Sequence, residues 1–129
     1  MEEAITAILL EAAPVAGLVA DRVNWGERPG EDMPAITLHR ISGARDATME
    51  GRSGLVSSTV QLDVWGRTYR DSKLLARAVI AALPQTRVVA AGITVQGVFI
   101  NSESDSFEGD DPLPLFRTRI DLSVWHQEN

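Results

Sequence analysis

The sequence predicts an α+β fold: a mostly antiparallel or mixed sheet of about five to six strands, with two helices packed on one face and long hairpin loops. Three observations carry that expectation. The segments Val60–Trp65 and Arg119–Trp125 alternate apolar and polar residues with the period of two that a half-buried strand shows. Two other segments, one at the N-terminus and one after Thr68, space their apolar residues three and four apart, as amphipathic helices do. The expected strands then follow one another closely in the chain, which leaves the helices free to cover a common face.

The elements follow in order. From Glu2 to Ala12, residues Ile5, Ile8, Leu9 and Ala12 form one helical stripe, and Glu2 and Glu3 stand in the first turn, where the helix dipole favours negative charge. Pro14 and Gly17 interrupt this pattern, leaving one further short helical turn over Val15 to Ala20 before Arg22–Trp25 runs extended. Gly26 to Pro34 reads as loop, and Ala35 to Ile41 as a strand bounded by Pro34 and Gly43. Val56 to Trp65 is the next strand. Thr68 is a plausible N-cap, with Asp71 three positions on as the acidic half of a capping box, so a second helix is expected from Tyr69 to Leu83, ended by Pro84. On it Leu74, Leu75, Ala78, Val79 and Ala82 share a stripe, while Lys73, Arg77 and Ile80 point away. After Arg87–Val89, a turn at Ala91-Gly92 leads into a strand over Ile93 to Ile100, and Leu115 to His126 forms the last one. Ser42 to Leu55 and Asn101 to Pro114 are expected to be long connections between neighbouring strands, where a hairpin normally needs two to five residues.

At 129 residues the chain is expected to form a single domain, 1–129. Its 44% hydrophobic and 23% charged residues are the balance of a soluble globular protein, and no apolar run reaches the roughly 18 residues that would cross a bilayer. The acidic start Met1-Glu2-Glu3 is unlike a secretory signal, so folding in the cytoplasm is expected. The absence of cysteine excludes disulfides and thiol catalysis. A formal charge of −6 argues against a chain that grips nucleic acid, because that affinity comes from Lys and Arg neutralising phosphates.

The polar face of the two alternating strands is unusual. Arg117, Arg119, Asp121, Ser123 and Trp125 share one side of the last strand, and Trp65 closes the polar row of the other. Such a face is too charged for a core and more aromatic than a solvated surface requires, and Trp and Arg are enriched at subunit contacts. The structural alternative is that each Trp ring lies against loops of its own subunit. Ile80, opposite the core stripe of its helix, is either an ordinary exposed residue or a contact. The two long connections hold Met49 and Arg52 in one and Phe107 in the other, among charges, which favours docking arms over merely solvated loops.

Catalytic apparatus is scarce. His39 and His126 are the only histidines; the first sits within a strand and the second close to the end of the chain, where fraying opposes exact positioning. No Gly-x-Ser-x-Gly elbow or phosphate-cradling Gly-rich loop is present. The acidic run Asp105–Asp111 lacks the alternating ligand spacing of a calcium loop and reads as a solvated segment. No cofactor or metal is expected.

The chain holds, in order, Pro14-Val15-Ala16-Gly17-Leu18-Val19, Asp21-Arg22-Val23, Met33-Pro34-Ala35-Ile36, Val60-Gln61-Leu62-Asp63-Val64-Trp65-Gly66, the helix from Tyr69, Val95-Gln96-Gly97-Val98-Phe99 and the closing Phe116–Trp125 segment. In order and motif together it resembles the tail-completion family of long-tailed bacteriophages, also described as tail terminators or head-tail joining proteins. The resemblance implies a ring, commonly a hexamer, that caps the completed tail tube, stops its polymerisation and meets the head connector, with DNA passing through the lumen without specific binding. The partners would be further copies of the chain, the tail tube protein and the connector protein, in the virion after assembly in the host cytoplasm, with no membrane. The expected contact residues are Trp65, Trp125, Arg117, Arg119, Ile80, Met49, Arg52 and Phe107. A head-closure or adaptor ring is the nearest alternative; a small metal-dependent hydrolase using Asp63, Asp121 and His39, or a host binding module, are more distant ones.

Overall fold

The structure, a computed structural model, describes residues 1–26, 33–48, 51–107 and 115–127, with the side chains of 42–48 and 51–55 left aside. Three helices, α1 (Glu2–Glu11), α2 (Ala13–Val19) and α3 (Tyr69–Ala82), accompany six strands: β1 (Val23–Trp25), β2 (Ala35–Thr48), β3 (Gly51–Gly66), β4 (Val88–Ala90), β5 (Ile93–Phe107) and β6 (Phe116–Gln127). The sheet order is β1-β2-β3-β6-β5-β4. Only β1 and β2 run parallel; every other neighbouring pair is antiparallel. The expected α+β architecture is therefore present, and the short helical turn expected over Val15 to Ala20 is a third helix, Ala13–Val19.

That helix is α2. Pro14 stands at its first turn, where the backbone N–H groups have no helical partner in any case, so proline starts this helix and does not interrupt one. The turn between β4 and β5 falls on Ala91-Gly92 as expected, with φ of 51° and 76°. Both central residues are left-handed, the backbone that matches the right-handed twist of a two-residue hairpin.

One face of the sheet is dry. Val60, Leu62 and Val64 of β3, Ile120, Leu122 and Val124 of β6, and Ile36 and Leu38 of β2 pack against Ile5 and Leu9 of α1, Val15 and Val19 of α2, and Leu75 and Val79 of α3, and all of these are fully buried. Burying a side chain of this size contributes roughly 1.5–3 kcal/mol, so this layer dominates the stability of the fold. The buried stripe of α3 is centred on Ser72, Leu75, Ala76 and Val79. Leu74, expected inside, is 42% exposed, and Ile80, expected outside, is half-buried against the margin of the core. The rotation follows from Ser72, whose hydroxyl donates to the Tyr69 carbonyl at 2.9 Å and so enters the core with its hydrogen bond made. Thr68 caps the helix as expected, its Oγ1 accepting from the Asp71 backbone N–H at 3.0 Å.

The described parts of the two long connections are strand. β2 continues to Thr48 and β3 begins at Gly51, while β5 continues to Phe107, so of the arms expected over Ser42–Leu55 and Asn101–Pro114 residues 42–48, 51–55 and 101–107 extend the sheet, and 49–50 and 108–114 lie outside the described residues. Backbone pairing, which is indifferent to side chains, holds these extensions. On β5 the extension is exposed from Asn101 to Asp105, and it carries no apolar alternation there. Both β2 and β5 also bulge: β2 gains a residue between Arg40 and Ser42, and β5 between Ile100 and Ser102. The two extra residues flank the same inner pair, Val60 and Leu122.

Candidate assembly surface

With all three helices on the dry face, the opposite face of the sheet is left to the polar rows of β2, β3, β6 and β5. Register places Trp65 beside Arg117, Asp63 beside Arg119, Gln61 beside Asp121, Thr59 beside Ser123 and Ser57 beside Trp125. The sequence-expected residues Trp65, Trp125, Arg117 and Arg119 therefore do share this face. Trp65 and Trp125 sit at opposite ends of it, eight residues apart along β6, or roughly 26 Å at the rise of a strand.

The two ends differ chemically. At the Trp65 end the indole Nε1 donates to Thr37 Oγ1 at 3.0 Å, and the Arg117 guanidinium lies 5.5 Å from the ring centre while its Nε donates to Ser106 Oγ at 3.3 Å. Thr37 and Asp63 are both 2% exposed there. Asp63 Oδ2 accepts from Gln61 Nε2 at 2.9 Å, whereas its buried Oδ1 has no hydrogen-bond partner among the described residues. This end is closed and internally bonded.

The middle of the face is a row of polar pairs. Arg119 Nε donates to Asp121 Oδ1 at 3.1 Å, Ser102 Oγ donates to Asp121 Oδ2 at 2.7 Å, and Asn101 Nδ2 donates to Ser123 Oγ at 2.8 Å. Burial opposes ionisation of Asp121, but the hydrogen bonds from Ser102 and Arg119 and the charge of Arg119 outweigh it and hold the carboxyl below the ordinary carboxylate range.

At the Trp125 end the surface opens. Trp125 is 36% exposed and Phe99 54%, and together with Gln96 and Gln127 they line an open depression of about 530 Å³. Gly97 stands opposite Trp125, and the Phe99 ring leans to 3.4 Å from where a Gly97 side chain would begin. The sequence reading missed Phe99, although its position two residues past Gly97 puts it on the same face as Trp125.

The remaining expected contacts scatter. Phe107 ends β5, tilted against Phe116 at 4.9 Å, and Phe116 meets Tyr69 edge-on at 6.4 Å. Phe107 thus belongs to an aromatic cluster on the helix side, though 61% exposed. Beside it Lys73 of α3 reaches Asp105 at 2.7 Å and Glu103 at 3.5 Å. The hydrogen bond to Asp105 leads the causes that raise the lysine pKa, and the same bond leads those that lower that of Asp105, helped by Thr118 Oγ1 donating at 2.9 Å. Met49 lies outside the described residues, and Arg52 is placed only by its backbone, opposite Ala47. Of the histidines, His39 is half-buried opposite Gln61, while His126, expected to fray, is 6% exposed within β6 with Nε2 at 3.1 Å from Ser58 Oγ. Among the described residues no group of three or more His, Cys, Asp or Glu could hold a metal ion, and no helix is long and apolar enough to cross a membrane.

Comparison with known proteins gives a consistent result. The family model described as tail completion protein gp17 matches residues 3–127. A solved chain from the virion of a native gene transfer agent particle is 17% identical, with a TM-score of 0.78 covering 98% of this chain and 94% of that one. A second solved chain, also 17% identical, aligns with a TM-score of 0.57 over 100% of this chain and 97% of its own length. No curated protein sequence matches.

Proposed function

The chain belongs to the tail completion protein gp17 family of phage tail structural proteins, and from that membership we propose that it forms a ring on the head-proximal end of the tail tube. There it ends tube polymerisation and provides the joint to the head connector. The observation that carries this reading is the division of the sheet into a dry face closed by three helices and a bare face ending in exposed aromatics, Trp125 and Phe99. A monomer gains nothing by exposing such a patch, whereas a subunit contact buries it. A closed ring needs two different surfaces of the chain that meet. The net charge of −6 suits a lumen through which DNA slides without adhering.

The direct test is the mass of the purified protein by light scattering, alone and with tail-tube protein, for wild type and Trp125→Ala. We expect a ring with the tube present and at least a tenfold weaker assembly for Trp125→Ala, with its thermal unfolding unchanged. A wild-type monomer indifferent to tubes overturns the proposal.

A further inference from the structure

The ring reading leaves open which surfaces meet, and the edges of the sheet offer an answer. Long strands with an unpaired edge are a hazard that proteins ordinarily cover or blunt. Here the covers are short. β1 pairs with β2 only over Ile36–Leu38, with Gly26 N–H reaching the Leu38 carbonyl, and β4 pairs with β5 only over Ile93–Val95, with Val98 N–H reaching the Pro84 carbonyl. Among the described residues nothing pairs with the outer edge of β2 from His39 to Thr48, or with that of β5 from Phe99 to Phe107. Among the described residues, two unpaired edges of similar length therefore stand on opposite sides of one sheet.

We infer that the free edge of β2 in one copy of this chain pairs with the free edge of β5 in the next, so that the sheets of a ring join into one continuous wall. The inference rests on the ring reading and specifies its contact.

Strand direction permits it. Because β2–β3, β3–β6 and β6–β5 are each antiparallel, β5 runs opposite to β2, and a neighbour placed by rotation about the ring axis brings its β2 antiparallel to this β5. The alternation is unbroken across the seam. Charge agrees: the β5 edge carries Glu103 and Asp105, of which Lys73 of the same subunit offsets one charge and leaves the other, and the β2 edge carries exposed Arg40. Pairing β5 with β5 in a two-fold dimer would instead oppose like charges. Exposed apolar residues flank both edges, Ile41 at 55% on β2 and Phe99 at 54% and Ile100 at 42% on β5.

Position agrees as well. Register carries Glu103, the middle of the free β5 edge, through Ile120 and Leu62 to the level of Leu38, whereas the middle of the free β2 edge is near Gly43. Because Ile41 is a bulged residue, Gly43 lies level with Ser58, four residues from Leu62, and full overlap of the two edges shifts each copy by roughly 13 Å for every four strands, roughly 19 Å of width. Such a stagger tilts the strands by about 35°, at the lower end of the range of about 35–45° that closed β walls show.

The absence of cysteine makes the test clean. Ile41→Cys and Ser104→Cys are combined in one chain, with Arg40→Cys and Ser104→Cys as a second register, and each single variant serves as a control. Within one subunit β3 and β6 separate the two positions by roughly 14 Å, too far for a disulfide. Oxidation of assembled protein on tail tubes should give a disulfide-linked ladder of dimers, trimers and larger species under denaturing, non-reducing conditions, collapsing to monomer with dithiothreitol, while single variants stay monomeric. Light scattering of the reduced variants monitors the ring independently. A ring without a ladder in either register, or dimers from a single variant, overturns the edge contact and leaves the ring standing. No ring from wild type on tubes overturns both.

Discussion

Asp105 and Asp121 are the residues whose chemistry is most exposed to pH. Both carboxyls are held below their ordinary value of 3.8, so their ionised forms stabilise the fold above that value, and the contribution is lost as pH falls through the depressed values. Lys73 is displaced the other way, above 10.5, so its contribution is present below that value and fades as pH rises past it. A thermal-unfolding series should therefore show the loss from these carboxyls below about pH 4. In Asp105→Asn the part of that acid fall due to this clamp should disappear; an unaltered acid limb would show that the clamp contributes nothing. Ala91 is a second residue with a clear expectation. An L-residue other than Gly, Asn or Asp in the left-handed region costs roughly 1–2 kcal/mol, so Ala91→Asn should raise stability by about 0.5–1 kcal/mol in chemical denaturation. At this scale the sequence was only partly legible. Trp65, Arg117 and Arg119 were placed on the correct face by alternation alone, but the Thr37 hydrogen bond that draws Trp65 inward joins residues 28 positions apart, a contact that no local pattern announces.

Among the elements, the helix and strand cores were readable and their extensions were not. Alternation marks a strand only where one face is dry, and β5 is exposed over Asn101 to Asp105, so its distal half reads as a polar loop. Helix α3 was found with its cap and its terminating proline, yet its inward face was misjudged because a buried serine looks polar until its bond to the Tyr69 carbonyl is seen. The junction of β3 and α3 makes a sharper prediction. A side chain on Gly66 would begin 2.7 Å from the Ser72 backbone nitrogen and 3.1 Å from Asp71 Cβ, and the first turn of a helix cannot retreat as a flexible side chain can. Gly66→Ala should cost about 1–3 kcal/mol by calorimetry. Thr68→Ala, which removes only the cap, should cost about 1 kcal/mol. The ordering of these two losses distinguishes a steric junction from a capping one.

For the whole molecule, the element order and the two-faced sheet were legible, since both follow from hydropathy along the chain. Which edges remain open was not, because it depends on how few residues β1 and β4 contribute, three each, and strand length is the least certain thing to read from short apolar runs. One feature of the sheet reaches further than its register. The bulges at Ile41 of β2 and Asn101 of β5 sit on either side of the Val60–Leu122 pair, and each bends its own strand and increases the local twist. The sheet is therefore creased across its width at one level, and its distal half turns away from the plane of the half that the helices cover.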